Sequence, residues 1–122
     1  GLSYTSFGYS NLKLSSNALK GNQTLTATIN VTNTGKYDGK EVVQLYIRDV
    51  VGSVTRPVKE LKGFQKIALK KGEAKAVRFT ISVNDLRFYN DKLQYIYEPG
   101  QFKLFIGGSS NDVKEVNFQL TK

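Results

Sequence analysis

Apolar and polar residues alternate along several short segments of this chain, and this period of two constrains the fold more than any other feature. In segment 24–32, Leu25, Ala27, Ile29 and Val31 are separated by threonines and one asparagine. Successive side chains of a β-strand point to opposite faces, so such a segment has one buried and one wet face. The pattern recurs in four further groups: Val43, Leu45 and Ile47; Val77, Phe79 and Ile81; Phe102, Leu104 and Ile106; Val116, Phe118 and Leu120. The sequence therefore predicts a protein built from strands.

The first predicted strand is less regular than the others. Phe7 and Tyr9 share one parity, whereas Leu12 and Leu14 share the other. An extra residue in one strand of an antiparallel pair changes the parity in this way. We therefore expect a β-bulge near Ser10–Asn11.

Turn residues separate the alternating segments at intervals of about 8–12 residues, which is typical of an antiparallel β-sandwich. Asp38–Gly39, Gly72 and Pro99–Gly100 mark such turns. One helical turn with a polar start is expected within 84–89. No segment could serve as the crossover helix of a parallel sheet. The sequence thus predicts an all-β fold, an antiparallel β-sandwich of seven or eight strands.

Composition excludes several kinds of active site. Of 122 residues none is cysteine or histidine, so disulfides, thiolate metal sites and histidine-dependent catalysis are excluded. The nearest group of carboxylates, Asp85, Asp91 and Glu98, lacks the spacing of a calcium loop and suits turn or capping roles. We expect no metal and no cofactor. No apolar run approaches the roughly 20 residues of a membrane span.

Positive charge is concentrated in segment 56–78 of a chain with net charge +8. Eight lysines and arginines lie there, opposed by Glu60 and Glu73. Such a segment could attract an anionic polymer or an acidic neighbouring domain. It could also be a solvated edge that prevents strand-to-strand aggregation. Nucleic acid is not an expected partner, because the lysines are not interleaved with stacking aromatic residues.

Two strings carry a family signature. Glu41–Tyr46 reads EVVQLY and Arg56–Phe64 reads RPVKELKGF, in order with Asn33–Gly35 and Ile106–Ser110. With these motifs the chain resembles the fibronectin type III-like domain at the C-terminal end of many family 3 glycoside hydrolases, the β-glucosidase and β-xylosidase group. The resemblance implies one fibronectin type III or immunoglobulin-like sandwich over residues 1–122. Residues 1–6 would be the entry segment from an upstream catalytic domain.

The resemblance also implies a role without catalysis. The parent would be a retaining hydrolase, whose two carboxyl groups lie about 5–5.5 Å apart on upstream domains. Neither catalytic motif occurs in this chain, so we expect no catalytic residue. We expect an accessory domain that stabilises the catalytic domains of its parent by interdomain packing. A periplasmic or secreted location is implied by the family alone.

Three residues are candidates for the interdomain contact: Tyr4, Arg56 and Pro57. Proline cannot donate to a strand ladder, so Pro57 belongs to an edge or a connector. Arg56 can form a bidentate bond with a carboxylate across the contact. We expect all three residues to lie near the junction with the catalytic domains.

Aromatic residues suggest an alternative function, a carbohydrate- or polymer-binding module that also uses the basic 56–78 segment. Tyr46 and Phe105 have outward parity and are the candidate exposed aromatics, with polysaccharide as a further partner. Buried contact with the other domains of the parent, or packing under segment 56–64, is the preferred explanation of both residues, because large apolar patches usually mark protein contacts. Phe88 and Tyr89 are expected to plug one end of the sandwich. The rings that could together form a sugar-stacking platform are Tyr37, Tyr46, Tyr89, Tyr95, Tyr97 and Phe105.

Overall fold

A computed structural model of the protein describes residues 5–50, 59–89, 91–109 and 112–121. These residues form ten strands and one short 3₁₀ helix. The elements are β1 (Phe7–Leu14), β2 (Ala18–Lys20), β3 (Thr24–Asn33), β4 (Gly39–Asp49), β5 (Glu60–Leu69), β6 (Ala74–Ser82), the 3₁₀ helix (Val83–Leu86), β7 (Phe88–Tyr89), β8 (Tyr95–Ile96), β9 (Gly100–Ser109) and β10 (Asp112–Thr121).

The strands form two facing sheets and one small hairpin. One sheet has the order β1-β3-β6, the other β2-β10-β9-β4-β5, and β7 pairs only with β8. This arrangement confirms the predicted all-β sandwich. Seven strands are at least eight residues long, and all of them except β5 contain the apolar residues whose parity predicted a strand. The additional strands β2, β7 and β8 have two or three residues each, too few to show a period.

One pair of strands is parallel, and the expectation of purely antiparallel pairing was wrong in this respect. Leu19 of β2 lies opposite Leu120 of β10 in parallel register. No crossover helix is needed, because most of the sandwich lies between these two strands in the sequence. Leu19 and Leu120 are each 1% exposed, so the pair extends the core to one side of the five-stranded sheet.

The core lies between the two sheets and contains the alternating apolar residues predicted from the sequence. The four apolar residues of β3 are fully buried. Opposite them, the rings of Phe102 and Phe118 stack with centroids 5.6 Å apart. Aromatic pairs in this arrangement add to the free energy gained from burial alone. Burial of this apolar layer is therefore what holds the two sheets together.

The predicted bulge in β1 is confirmed. The pairing of β1 with β3 shifts register between Ser10 and Lys13. Asn11 has φ 57°, a left-handed conformation that asparagine tolerates better than most residues. The bulge returns Leu12 and Leu14 to the face that packs against the core.

The polar start of the helical turn is also confirmed. The backbone N–H of Ser82 donates to Oδ2 of Asp85 at 2.9 Å, so Asp85 has the capping role expected for it. Leu86 is buried beneath this turn. Within the described ranges no helix is long and apolar enough to cross a bilayer.

The two ends of the sandwich are distinct, and we name them by their residues. At the Asn33 end, β3 finishes, β4 begins and β5 finishes, and the Asn33 side chain donates to the Leu69 carbonyl. At the Asp49 end, β4 finishes and β5 and β9 begin. The β7–β8 hairpin follows the 3₁₀ helix at this second end.

A hydrogen bond between Tyr9 of β1 and Glu41 of β4 connects the two sheets. The tyrosine hydroxyl donates to Oε2 of Glu41 at 3.0 Å. Burial raises the pKa of Tyr9 above its usual value, and the neighbouring Glu41 carboxylate raises it further. The fold therefore favours the neutral phenol.

We expect Tyr9→Phe to be less stable than the wild type below pH 10, by about 1–2 kcal/mol for the lost hydrogen bond. Because the folded pKa of Tyr9 exceeds the unfolded value near 10, its contribution is complete below about pH 10 and decreases above it. The stability difference between the two proteins should therefore narrow as pH rises beyond 10. Urea unfolding from pH 7 to pH 11 measures it.

Tyr37→Phe is the control, since the Tyr37 side chain is 62% exposed. This variant should unfold like the wild type at every pH. A constant difference between wild type and Tyr9→Phe across the whole pH range would contradict the prediction.

Candidate functional site

Large side chains lie side by side on the outer face of the five-stranded sheet. Val43, Leu45 and Ile47 of β4 point into the core, so Tyr46 points outward. Tyr46 lies opposite Leu61 of β5 and Phe105 of β9. Cross-strand neighbours on one face are close enough for their side chains to pack.

Phe105 is buried, and the expectation that it is exposed was wrong. Only 7% of it is accessible, although it is not part of the central core cluster. The position of Phe105 in the alternating pattern indicated the correct face of the sheet, but it did not indicate that another side chain covers the ring. The Nζ of Lys59 lies 4.6 Å from the ring centroid, a cation–π contact. Phe105 therefore packs under Lys59, in the described part of segment 56–64, which agrees with one of the two alternatives predicted.

Tyr46 is half-buried, and hydrogen bonds fix its position. Its hydroxyl donates to Oε1 of Gln44. Nε2 of Gln44 in turn donates to the carbonyl oxygen of Gly108 at 3.0 Å. A side chain that is already ordered loses less conformational entropy when a partner covers it.

Sequence reasoning missed two exposed apolar residues on the same face. Leu61 is 52% exposed and Phe64 is 58% exposed. Phe64 lies opposite Gln44, in the row beside Tyr46. The sequence did contain a sign of them, since both are large apolar residues among the lysines of β5. We call Tyr46, Leu61, Phe64 and the covered Phe105 the apolar outer face.

The candidate contact residues Tyr4, Arg56 and Pro57 lie outside the described residues. The residues next to them are at different places. Thr5 donates to the Asn33 side chain and so lies at the Asn33 end. Lys59 precedes β5 and so lies at the Asp49 end.

A second aromatic group lies at the Asp49 end, and we call it the arginine–tyrosine cluster. It consists of Arg87, Tyr89, Tyr95 and Tyr97. The rings of Tyr89 and Tyr95 have centroids 4.9 Å apart, and the guanidinium carbon of Arg87 lies 5.8 and 5.4 Å from the centroids of Tyr95 and Tyr97. Tyr89, Tyr95 and Tyr97 are 63%, 50% and 38% exposed.

The six aromatic rings do not form one platform. Tyr46 and Phe105 belong to the outer face, and Tyr37 precedes β4 at the opposite end from the arginine–tyrosine cluster. The expected plug is formed by Phe88 alone, which is 4% exposed. Tyr89 points outward because neighbouring residues of a strand face opposite sides.

The exposed cations of the basic segment that are described lie at the open edges of the sandwich. They are Lys66, Lys70, Lys71, Lys75 and Arg78. Strands β5 and β6 are edge strands of their sheets. Lysines at such edges prevent pairing with other chains, which supports the edge interpretation of the charge. In the parts of the chain that the structure describes, no three acidic side chains are grouped as a metal site.

Comparison with known families identifies the fold. Residues 41–110, from β4 to β9, match the fibronectin type III-like domain family. The chain belongs to this family. The resemblance drawn from the two strings of β4 and segment 56–64 is thereby confirmed.

The relatives of this fibronectin type III-like domain are much longer glycoside hydrolases. The domain is 49% identical over 120 residues to a periplasmic beta-glucosidase of Salmonella typhimurium, covering 98% of this chain and 16% of the relative. It is 46% identical over 119 residues to a beta-xylosidase of Formosa agariphila, covering 96% of this chain and 16% of the relative. The domain thus spans 16% of the length of these relatives.

Solved structures show the same relation. A beta-glucosidase from Listeria innocua in complex with glucose matches with a TM-score of 0.89 and 38% identity, over 100% of this chain and 17% of that chain. A beta-glucosidase involved in saponin metabolism from intestinal bacteria matches with a TM-score of 0.92 and 40% identity, over 99% and 17%. The domain corresponds to an accessory part of family 3 hydrolases and not to a whole enzyme.

Proposed function

We propose that this domain is the non-catalytic accessory domain of a β-glucosidase-like family 3 hydrolase, and that it stabilises the catalytic domains by packing its apolar outer face against them. The observation that carries the proposal is the exposure of Leu61 and Phe64, 52% and 58%, on one sheet face beside the ordered Tyr46. The rest of the parent enzyme is the partner, since the domain spans only 16% of its curated relatives.

The composition of this face suits an interdomain contact. Aromatic residues are enriched at the centre of interfaces and lysines are depleted there. Here Tyr46, Leu61 and Phe64 lie together, whereas the exposed Lys66 and Lys70 lie further along β5 and just after it, towards the Asn33 end. Covering the exposed half of Leu61 or Phe64 contributes about 1 kcal/mol each. Interdomain contacts bury roughly 600–1,500 Å² in total.

The proposal extends to the whole parent protein. Its activity is the hydrolysis of β-glucosides or β-xylosides, as the names of the relatives suggest. Its location is the periplasm or the outside of the cell, as the name of the Salmonella relative suggests. Residues 1–122 act as one domain, with Tyr4, Arg56 and Pro57 at the junction to the catalytic domains.

The double variant Leu61→Asp/Phe64→Asp in the full-length parent tests the docking face. Two carboxylates on this face would lose the apolar contact and would be desolvated against the catalytic domains. We expect the unfolding midpoint of the catalytic domains to decrease by about 2–4 °C or more, as for a loss above 1 kcal/mol in a large protein. Differential scanning calorimetry measures the midpoint.

Thr80→Asp is the matched control, because Thr80 is exposed on the outer face of the other sheet. Its effect on the midpoint should be negligible. The same double variant in the 122-residue chain alone should change the free energy of unfolding by only about 0.5 kcal/mol, as exposed substitutions do. Equal midpoints for the double variant and Thr80→Asp would refute docking through this face.

A further inference from the structure

The arginine–tyrosine cluster is rigid on its protein side and open on its solvent side. Nη1 of Arg87 donates to the carbonyl oxygen of Tyr95 at 3.2 Å, and Nε donates to Oδ1 of Asn84 at 3.0 Å. These bonds hold the guanidinium beside the rings of Tyr95 and Tyr97. The arrangement combines exposed ring surface with a fixed donor group.

A small polar crevice adjoins the cluster. It has a volume of about 20 Å³, and Arg87 forms part of its wall. Its other polar lining residues are Asp49, Glu60, Lys62 and Asp85. A volume of this size accommodates one water-sized group, and hydroxyl groups are of that size. Donors and acceptors for a polar ligand therefore lie next to Arg87, which also contacts the rings of Tyr95 and Tyr97.

We propose that this end of the domain binds a soluble chain of neutral β-linked pyranoses. The exposed faces of Tyr89 and Tyr97 contact the apolar faces of the sugars. Tyr95 packs against Tyr89 and Arg87 and supports them, and Arg87 and the crevice carboxylates bind the sugar hydroxyl groups. The choice of β-linked glucose or xylose units rests on the proposed function of the parent. The position of the site does not, since it follows from the cluster itself.

The geometry of the rings favours a soluble chain over a crystalline surface. The planes of Tyr89 and Tyr95 are inclined by 38°, so the rings do not share one flat surface. A flat crystal face would therefore contact less of the cluster than a flexible single chain.

A protein contact is the competing occupant, and Leu93 distinguishes it. Leu93 lies at the tip of the β7–β8 hairpin, is 81% exposed and has φ 61°. Leucine in this left-handed conformation is strained. If the cluster docks on protein, this protruding apolar side chain would be central to the contact. In sugar binding it would contribute little, because the ring surface and the crevice hold the ligand.

Affinity electrophoresis of the full-length parent in gels with mixed-linkage β-glucan or xylan tests the proposal. We expect Tyr95→Ala/Tyr97→Ala to reduce retention at least about fivefold, because stacking contributes of the order of 1–3 kcal/mol per ring on a planar ligand. Tyr37→Ala, at the opposite end, is the matched control and should leave retention unchanged. Leu93→Asp should also leave it unchanged.

Each other outcome has a defined meaning. The proposal is overturned if the wild type is not retained by either polysaccharide. It is also overturned if the double variant Tyr95→Ala/Tyr97→Ala is retained as strongly as the wild type. Retention that disappears at about 0.5 M salt overturns it as well, since screening removes binding by lysines but not stacking. A lower unfolding midpoint in Leu93→Asp with unchanged retention in the double variant would assign the cluster to protein docking. Turnover of an aryl β-glucoside or β-xyloside reports separately on the proposed function.

Discussion

Replacing Gly107 with alanine is expected to reduce the free energy of unfolding by about 3 kcal/mol, as for severe overpacking of a buried site. A methyl carbon on Gly107 would lie 2.0 Å from the carbonyl oxygen of Asp112 and 2.8 Å from Cα of Val113. Both are backbone atoms of β10, at the point where its register with β9 shifts. The methyl group can be accommodated only if the two strands separate.

Gly63→Ala is the matched control for this prediction. A methyl carbon there would lie 3.7 Å from Cδ1 of Phe79, an ordinary contact distance. Its effect should be within about 1 kcal/mol, the range of a glycine-to-alanine change at a compatible site. Urea denaturation of both variants, followed by circular dichroism, compares them. Similar losses for both would show that the approach of β10 to Gly107 is not close.

Replacing Asn33 with alanine should also cost about 3 kcal/mol, because several buried polar groups would lose their partners at once. Asn33 is 1% exposed. Its Oδ1 accepts from Thr5 Oγ1 at 2.7 Å and from the Gly35 N–H at 3.1 Å. Its Nδ2 donates to the carbonyl oxygens of Tyr37 and Leu69 at 2.8 and 3.1 Å. One side chain thus connects three parts of the chain: Thr5 before β1, the turn between β3 and β4, and the end of β5.

Asn33→Asp distinguishes hydrogen bonding from packing at this position. The shape is conserved, but the second carboxylate oxygen would face the carbonyls of Tyr37 and Leu69. We expect a loss at pH 7 at least as large as that of Asn33→Ala, measured by urea denaturation. Asn117→Ala, on an exposed position of β10, is the control and should be nearly neutral. Wild-type stability of Asn33→Asp would contradict the proposed bonds.

Much of the sandwich was predictable because every second side chain along most of its strands is buried. In β3 every second residue from Leu25 to Val31 is buried, as the alternation indicated. Asn33 continues the same parity, so a polar residue at a core position was visible in the sequence. Its four hydrogen-bond partners were not visible in the sequence, because three of them come from a turn and from the end of β5. Alternation predicts the face on which a side chain lies, but it does not predict which loop will contact that side chain.

The candidate site shows the same limit. Parity placed Tyr46 and Phe105 on the outer face, but the cover over Phe105 comes from Lys59, which is 46 residues away. In β5 the register shifts opposite Leu45 and Tyr46, so Leu61 and Phe64 point outward although they are three residues apart. A simple period of two cannot describe such a strand.

The short parallel pair of β2 with β10 determines when the domain can be completed during translation. Residues 18–20, which form β2, leave the ribosome well before residues 112–121, which form its neighbour β10. Leu19 can be buried only after this distant partner has emerged. Contacts of such long sequence separation form slowly and leave apolar surface open in the meantime. Until β10 has emerged, the nascent domain is therefore open to chaperones and proteases on this side of the sheet.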